Sequence, residues 1–446
     1  MDREKDRYAD IAKQIWDWAE LGYQEKNSSN LLAQTLEEEG FTLQRGLAGI
    51  PTSFIAEYGS GSPVIAVLAE FDALPGISQK AIPTKEPVIE GGSGHACGHH
   101  LFGTASTAAG IEVKNWLVKN KMNGTIRVYG TPAEEGGAGK VYMVRAGLFD
   151  DVDVALHWHP GSQNAANPGS SLANKSAKFR FYGEASHAAA SPERGRSALD
   201  GVEAMNHMVN LLREHVPQET RIHYVITRGG EAPNVVPAFA EVFYYTRNPD
   251  VNNVKEIFSR VVQCAEGAAL GTGTKMQYEV IHGLYNLLPN ETLSKVMHSN
   301  LKMVGGVEYS AQDLSFGKEI LATYKGDYSL ESAAEVQPYS NLPRRSAGST
   351  DVGDVSWAVA TAGMSAATWV PGTSAHTWQA VAAGGTDIGF KGMIVAAKTI
   401  AYTAVDIYMN PNIAEQAKLE LAKQKGENFK YEALIGDRDP PLDYRK

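Results

Sequence analysis

Between residues 177 and 281 the order of secondary-structure signals changes, and this change restricts the folds open to the chain. Ahead of it, helices and strands alternate. Amphipathic helical spacing covers 6–21 and 27–39, strand-like runs cover 52–58 and 63–69, and a long helix runs from Leu101 to Asn120. A strand at 125–130, a helix at 138–146 and a strand at 152–158 follow. Strands alternating with helices predict an α/β layer around a mixed, largely parallel sheet. From Ala177 the order becomes strand 177–183, helix 196–214, strands 221–228 and 239–247, helix 251–270 and strand 275–281. That β-α-β-β-α-β order is the ferredoxin-like split unit. The α/β rhythm resumes near residue 285 and ends in a helix at 390–408. The expected organisation is a discontinuous α/β domain, 1–174 and 285–446, carrying an inserted ferredoxin-like domain at 175–284. Residues 305–350 mix short periodic pieces with Ser/Gly/Pro-rich stretches and are the hardest to read, and the final dozen residues read as a loose tail.

Charge and cysteine content narrow the function classes. The net charge is −10 and no Lys/Arg block occurs, so the electrostatic footprint of a nucleic-acid or anionic-membrane binder is missing. The two cysteines, Cys97 and Cys264, do not make a disulfide framework for 446 residues. The first twenty residues are charged and amphipathic with no apolar signal-peptide core, and no run of eighteen apolar residues occurs. A cytoplasmic protein with neither nucleic acid nor membrane as partner is expected, and the net charge does not decide its substrate.

The densest chemical signal is GGSGHACGHH, where His95, His99 and His100, three of the twelve histidines, flank Cys97. Thiolate and neutral imidazole are the usual donors to zinc-like ions, and glycines let neighbouring side chains converge. The motif precedes a helix, whose N-terminal dipole favours an ionised thiol. Glu134 and Glu135 follow the strand TIRVYG, where one carboxylate can hold metal while its neighbour moves protons. Asp72 ends the strand of PVIAVLAEFD, His159 follows DVALHW, and His376 follows the strand-like AATWV. His157 lies two residues before His159 and on a strand shares its face. Candidate groups at several strand ends are what an open α/β catalytic site requires, and they point to metal-assisted hydrolysis. One alternative takes Cys97 as a nucleophile with His99 or His100 as base; it leaves Glu135, His159 and His376 without a role. Another is a metal-binding subunit inactive without a partner subunit, against which Glu134 argues.

The segments AEFDALPG, GHACGHH, TPAEEGGAGK, HWHP, ASHAAASPERGRSALD, APNVVPA, GSTDVGDVSW and GTSAHTWQ run in order over nearly the whole chain. In them the sequence resembles the dinuclear metallo-amidohydrolases and metallopeptidases that include aminoacylases and carboxypeptidase G. The resemblance implies two divalent ions, zinc or manganese, with Cys97 in the place of a bridging carboxylate. It further implies His99, Glu135, His159 and His376 as ligands and Glu134 as general base. His159 is preferred to His157 because the family keeps a histidine directly before this proline, and Asp72 would hold a ligand histidine from behind. Glu70 stands where peptidase branches carry a metal histidine and is not counted as a ligand. Many relatives read His-Asp where this chain reads His99-His100, so the acidic role there is vacant or moved.

In dimeric relatives the equivalent of His187 reaches the partner's active site to steady an oxyanion, and the equivalent of Asn234 contacts substrate. The inserted domain would then serve dimerisation and closure, the protein would be a homodimer, and a paired A-type subunit is a further expected partner. The implied substrate is an N-acyl amino acid, p-aminobenzoyl-glutamate foremost, with dipeptidase or aminoacylase activity as the alternative. Arg194, Arg196, Arg221 and Arg247 are all candidates to receive a substrate carboxylate. His207, His215, His223, His282 and His298 read as surface or packing residues, and Cys264 as a buried apolar thiol.

Overall fold

The computed structural model describes residues 1–341, 344–345 and 348–445, of which 344 and 345 only by backbone. Its main sheet grows from Val64–Ala69, whose apolar residues alternate between two cores. Ile65, Val67 and Ala69 face one, and Ala66 and Leu68 face the other. Such two-sided burial is what a central parallel strand requires. The six strands lie in the order Thr42–Arg45, Phe54–Ser60, Gly124–Gly130, Val64–Ala69, Val154–Gly161 and Ala360–Ala367. The last four pair in parallel, and the first two are added antiparallel at one edge.

Helices cover both faces. On one, helix Lys5–Trp18 buries Tyr8, Ile11, Ala12 and Ile15, the spacing of an amphipathic helix, beside the long helices His99–Asn120 and Asp387–Met409. Gly103 lets His99–Asn120 lie close on the sheet, since an added Cβ would fall 2.7 Å from the Glu70 carbonyl. Helix Asp387–Met409 is long and apolar enough to cross a membrane, but 78% of its most apolar window is buried against this core. Helices Gly139–Arg145 and Val352–Ala358 cover the opposite face through Met143, Val144, Val352 and Val355.

Ala173–Tyr182, Arg221–Arg228, Phe239–Asn248 and Lys275–Leu284 form a second sheet, ordered fourth, first, third, second and antiparallel throughout. Helices Ala198–Leu212 and Val251–Thr272 pack on it around Phe179, Phe181, Val209, Val242 and Val261. Arg221–Arg228 is its open edge, with Tyr224, Val225 and Ile226 exposed. A mixed, largely parallel α/β layer with a ferredoxin-like unit is the fold class the element order predicts.

Several local expectations need correction. The strand ahead of His376 is Ala360–Ala367, so AATWV contributes only its first two residues and a longer loop carries the histidine. The short edge strand Thr42–Arg45 left no periodic signal. Cys264 is only half-buried. The largest correction concerns the final dozen residues, which are docked as a strap and not a loose tail: Gln24 donates to the Leu442 carbonyl at 2.8 Å, and the chain just ahead of them is buried as well. Phe429 packs against Trp357 at 4.7 Å, and Ala433, Leu434 and Ile435 are buried. The Tyr431 hydroxyl donates to Asp354 at 2.7 Å, and the Tyr285 N–H donates to the other carboxylate oxygen at 3.0 Å.

Burial pushes the Asp354 carboxyl up to about 7. The folded state therefore holds this proton more tightly than the unfolded chain, where aspartate titrates at about 4. The stability it contributes is complete below about pH 4 and is lost as pH rises to about 7. Denaturant unfolding at pH 5 and pH 8 should show the wild type losing on the order of 2 kcal/mol more than Asp354→Asn over that interval.

Candidate active site

The catalytic candidates hang from the carboxyl ends of the parallel strands, where an open α/β sheet leaves its crevice. His159 is still within strand Val154–Gly161, and loop Thr131–Gly137 leaves strand Gly124–Gly130. Cys97 immediately precedes helix His99–Asn120, and His376 sits on the loop beyond Ala360–Ala367. Left-handed backbones occur in these loops at Gly98 (φ 75°), Ala133 (φ 60°), Gly136 (φ 95°), Gly372 (φ 89°) and His376 (φ 62°). At Gly98 a Cβ would fall 2.7 Å from Pro160, so glycine is required for the Cys97 turn to pass the His159 strand. Ala133 and His376 adopt this conformation at a cost that active-site loops commonly bear.

The side chains converge. Cys97 Sγ lies 3.4 Å from His159 Nε2. His99 Nδ1 lies 2.9 Å from Asp72 Oδ1, which fixes the tautomer and leaves Nε2 facing the cluster. The other Asp72 oxygen accepts the Glu135 N–H at 2.8 Å, so one buried carboxylate orients two candidate ligands. Glu135 Oε1 lies 3.2 Å from His376 Nε2. Two sets of donor atoms lie within 4.8 Å of one another, Cys97/His99/His159 and Cys97/Glu135/His376, and the thiol belongs to both. A third set is Glu70/His99/Glu134. His99 Nε2 and Glu70 Oε2 are 3.2 Å apart but misaligned for a hydrogen bond, so both, like Glu135 Oε1, are buried without a hydrogen-bond partner. Unsatisfied, converging N, O and S donors fit divalent cations.

Electrostatics separate the paired carboxylates. Burial, then Glu70 and Glu135, push Glu134 well above the usual carboxylate range. Burial acts against Glu135 too, but His376 and His99 outweigh it and hold that carboxyl low. Neighbouring carboxyls driven apart in this way mark a division of labour between proton transfer and charge. Burial, then His99, lowers His159, keeping it a neutral donor. Burial pushes the Cys97 thiol up, the opposite of what a free nucleophile needs. His100 donates to the Gly384 carbonyl at 2.9 Å and His95 to the Ile15 carbonyl at 3.1 Å, their rings 4.9 Å apart. These two histidines pack the loop, and His100 is not placed to act as a base for Cys97.

Behind the donors lies a buried ion network that the sequence did not reveal. Lys140, with no exposed surface, places Nζ 2.7 Å from Glu70 and 2.7 Å from Asp351. Its position at the start of a helix after a glycine-rich loop reads as a surface charge. Only its place within TPAEEGGAGK marked it. Lys140→Met would strand two buried carboxylates, and equilibrium unfolding should show a loss of about 3–5 kcal/mol.

The cluster forms one wall of a cavity of about 630 Å³, lined further by Asn167, Ser170, Leu287, Asn290 and Thr361. His157 also lines it, against Gly363, where any Cβ would collide with the ring. His187 and Asn234 do not line it within one chain. Both are exposed on the second sheet's unit, linked by an Ala188 N–H bond of 3.0 Å to the Asn234 carbonyl. Arg194, Arg196, Arg221 and Arg247 also lie outside the cavity wall.

Residues 66–417 match the model of peptidase family M20/M25/M40. The chain belongs to this family. Over 94% of its length it is 43% identical to the B-type chain of the p-aminobenzoyl-glutamate hydrolase of Escherichia coli, covering 93% of that protein. It is 30% identical to the Xaa-Arg dipeptidase of Mus musculus, over 94% of this chain and 90% of that one. The fold matches a dinuclear metal-binding M20 peptidase of Bacillus subtilis with a TM-score of 0.63 at 18% identity, covering 92% and 99% of the two chains. This M20 protein is a metal-dependent amidohydrolase.

Proposed function

We propose that this enzyme hydrolyses the amide bond of an N-acyl amino acid, with p-aminobenzoyl-glutamate as the leading substrate, at a site holding two divalent ions. The observation that carries this reading is the shared thiol: Cys97 belongs to both donor sets. Cys97, His99 and His159 would hold one ion, and Cys97, Glu135 and His376 the other. When bound, the ions supply Lewis-acid polarisation of the scissile carbonyl and acidify a water. Glu134, whose carboxyl is raised by burial and neighbouring carboxylates, takes the water's proton and returns it to the leaving nitrogen. Asp72 keeps His99 and Glu135 aimed at the centre. The thiolate and imidazole donors suit zinc, and the mixed N and O remainder accommodates manganese.

The substrate class rests on the 43% identity to one chain of a p-aminobenzoyl-glutamate hydrolase; the dipeptidase alternative rests on the 30% relative. The first of these relatives is by name the B-type member of its enzyme, which supports an A-type partner for this chain as well. A homodimer through the open edge of Arg221–Arg228 would carry His187 to the neighbouring site. The His187 Nδ1 accepts the Ala189 and Ala190 N–H groups at 3.2 and 3.1 Å, so its proton sits on Nε2, the tautomer an oxyanion needs. Asn234 beside it would contact the same substrate. A cytoplasmic location accords with this chemistry.

Chelation followed by restoration with zinc or manganese, assayed on p-aminobenzoyl-glutamate, N-acetyl amino acids and Xaa-Arg dipeptides, tests the proposal. Turnover should require metal and be fastest on p-aminobenzoyl-glutamate. Cys97→Ser should lose bound metal and turnover together. A Cys97→Ser protein with full metal and normal rate would overturn the bridging assignment.

A further inference from the structure

The chain beyond helix Asn412–Lys425 lies outside the segment matched to the family, 66–417, yet it returns to the centre of the catalytic site. The loop Thr131–Gly137 that carries both glutamates is held from outside at several polar backbone groups. Glu25 accepts the Ala133 N–H at 2.8 Å, Asp72 accepts the Glu135 N–H at 2.8 Å, and the Tyr23 hydroxyl donates to the Gly137 carbonyl at 2.7 Å. A further acceptor on this loop is the Glu135 carbonyl. It receives the Tyr444 hydroxyl at 3.1 Å and Arg445 Nη2 at 2.7 Å. A carbonyl oxygen has two lone pairs, and the end of the chain occupies both.

The strap is not a casual contact. The Tyr444 ring meets Tyr23 edge-on at 5.6 Å, and the Arg445 guanidinium lies 4.9 Å from the Tyr444 ring centre. Gln24 donates to the Leu442 carbonyl at 2.8 Å, and Arg145 donates to the carbonyls of Gly436 and Arg438 at 2.6 and 2.9 Å. Arg438 in turn donates to the carbonyls of Val280 and Ile281 at 2.5 and 2.9 Å, beside a bulge in strand Lys275–Leu284. One segment therefore touches both the strand that leads back from the second sheet and the loop that bears Glu134 and Glu135.

We infer that Tyr444 and Arg445 are positioning residues of the active site, which fix the peptide of Glu135 and so aim its carboxylate. The loop needs such a brace. Ala133 (φ 60°) and Gly136 (φ 95°) flank the pair in left-handed conformations, and the glycine leaves the peptide that bears the Glu135 carbonyl free to turn once its two donors are removed. The Glu135 carboxylate lies 3.2 Å from His376, and a rotated peptide would carry it away from that partner and from Cys97. The consequence for metal rests on the assignment of Glu135 as a ligand; the consequence for the loop does not.

The test is a Tyr444→Phe/Arg445→Ala double variant, with Arg445→Lys as the conservative partner and a chain lacking 441–446 as the second disruption. Amide hydrogen exchange of the peptide spanning 133–137, measured on metal-free protein, should speed up roughly tenfold in the double variant while the sheet strands exchange as before. Titration with manganese should show the weaker of two binding steps losing about tenfold in affinity. With manganese restored, kcat should fall more than KM changes. Arg445→Lys, which still donates to a carbonyl, should restore most of the exchange protection and affinity. Unchanged exchange at 133–137 in both the double variant and the shortened chain would overturn the inference. Faster exchange with unaltered manganese affinity would uphold the brace and remove Glu135 from the metal site.

Discussion

Glu134→Gln is expected to keep its metal and lose kcat by a factor of about 10³, whereas Glu135→Gln is expected to lose metal first and activity as a result. The two residues are adjacent, similarly buried and chemically identical, so a difference in outcome can come only from what surrounds them. Glu134 faces Glu70 and Glu135, which resist its ionisation and favour a group that picks up and releases protons. Glu135 faces His376 and His99, which favour a permanent anion. The amide of glutamine preserves shape in both cases. At 134 it removes a proton carrier, and at 135 it removes a charge that a cation would need. Metal content by elemental analysis, read beside steady-state rates, separates the two. The opposite pattern would mean that the roles are exchanged.

A second large effect is expected from subunit mixing. Glu134→Gln and His187→Ala should each be nearly inactive alone, since under the proposed assignment one lacks the proton carrier and the other the oxyanion donor. If His187 acts across a dimer, exchange of subunits between them creates hybrids with one intact composite site, recovering at most about half the wild-type activity per hybrid. Cross-linking each dimer before mixing should abolish the recovery. The placement of His187 outside the cavity of its own chain, with its Nε2–H directed away from the backbone groups that hold Nδ1, motivates the test. No recovery under demonstrated exchange would confine His187 to its own chain or remove it from catalysis.

What could be read from the sequence divides along physical lines. Strands such as Val64–Ala69 and helices such as His99–Asn120 announce themselves because burial imposes a period on them, and the ligand candidates stand out because soft donors cluster among glycines. Asp72 was legible for a similar reason, lying just past a strand end. Lys140 was not, because nothing local distinguishes a lysine paired with Glu70 and Asp351 from one in water. Nor was the strap: its polar residues bond to backbone carbonyls far away in the chain, and its turns carry no repeat. The loop before His376 misled in a smaller way. AATWV has strand composition, but the sheet ends at Ala367, and Thr368 and Trp369 instead bond the Gly161 carbonyl as the chain turns away.

The discontinuous build of the main sheet also sets the order in which a newly made chain can become an enzyme. Cys97, His99, Glu135 and His159 emerge early, but their sheet still lacks the edge strand Ala360–Ala367, and His376 lies further on. The second sheet's unit, contiguous from Ala173 to Leu284, is made in the meantime. At ribosomal speeds the catalytic half then waits on the order of ten seconds for its missing pieces. Tyr444 and Arg445, which clasp the Glu135 carbonyl, are made after all of the strands. A nascent chain therefore presents Cys97, His99 and His159 well before the edge strand, His376 and the strap that would complete a cage around them.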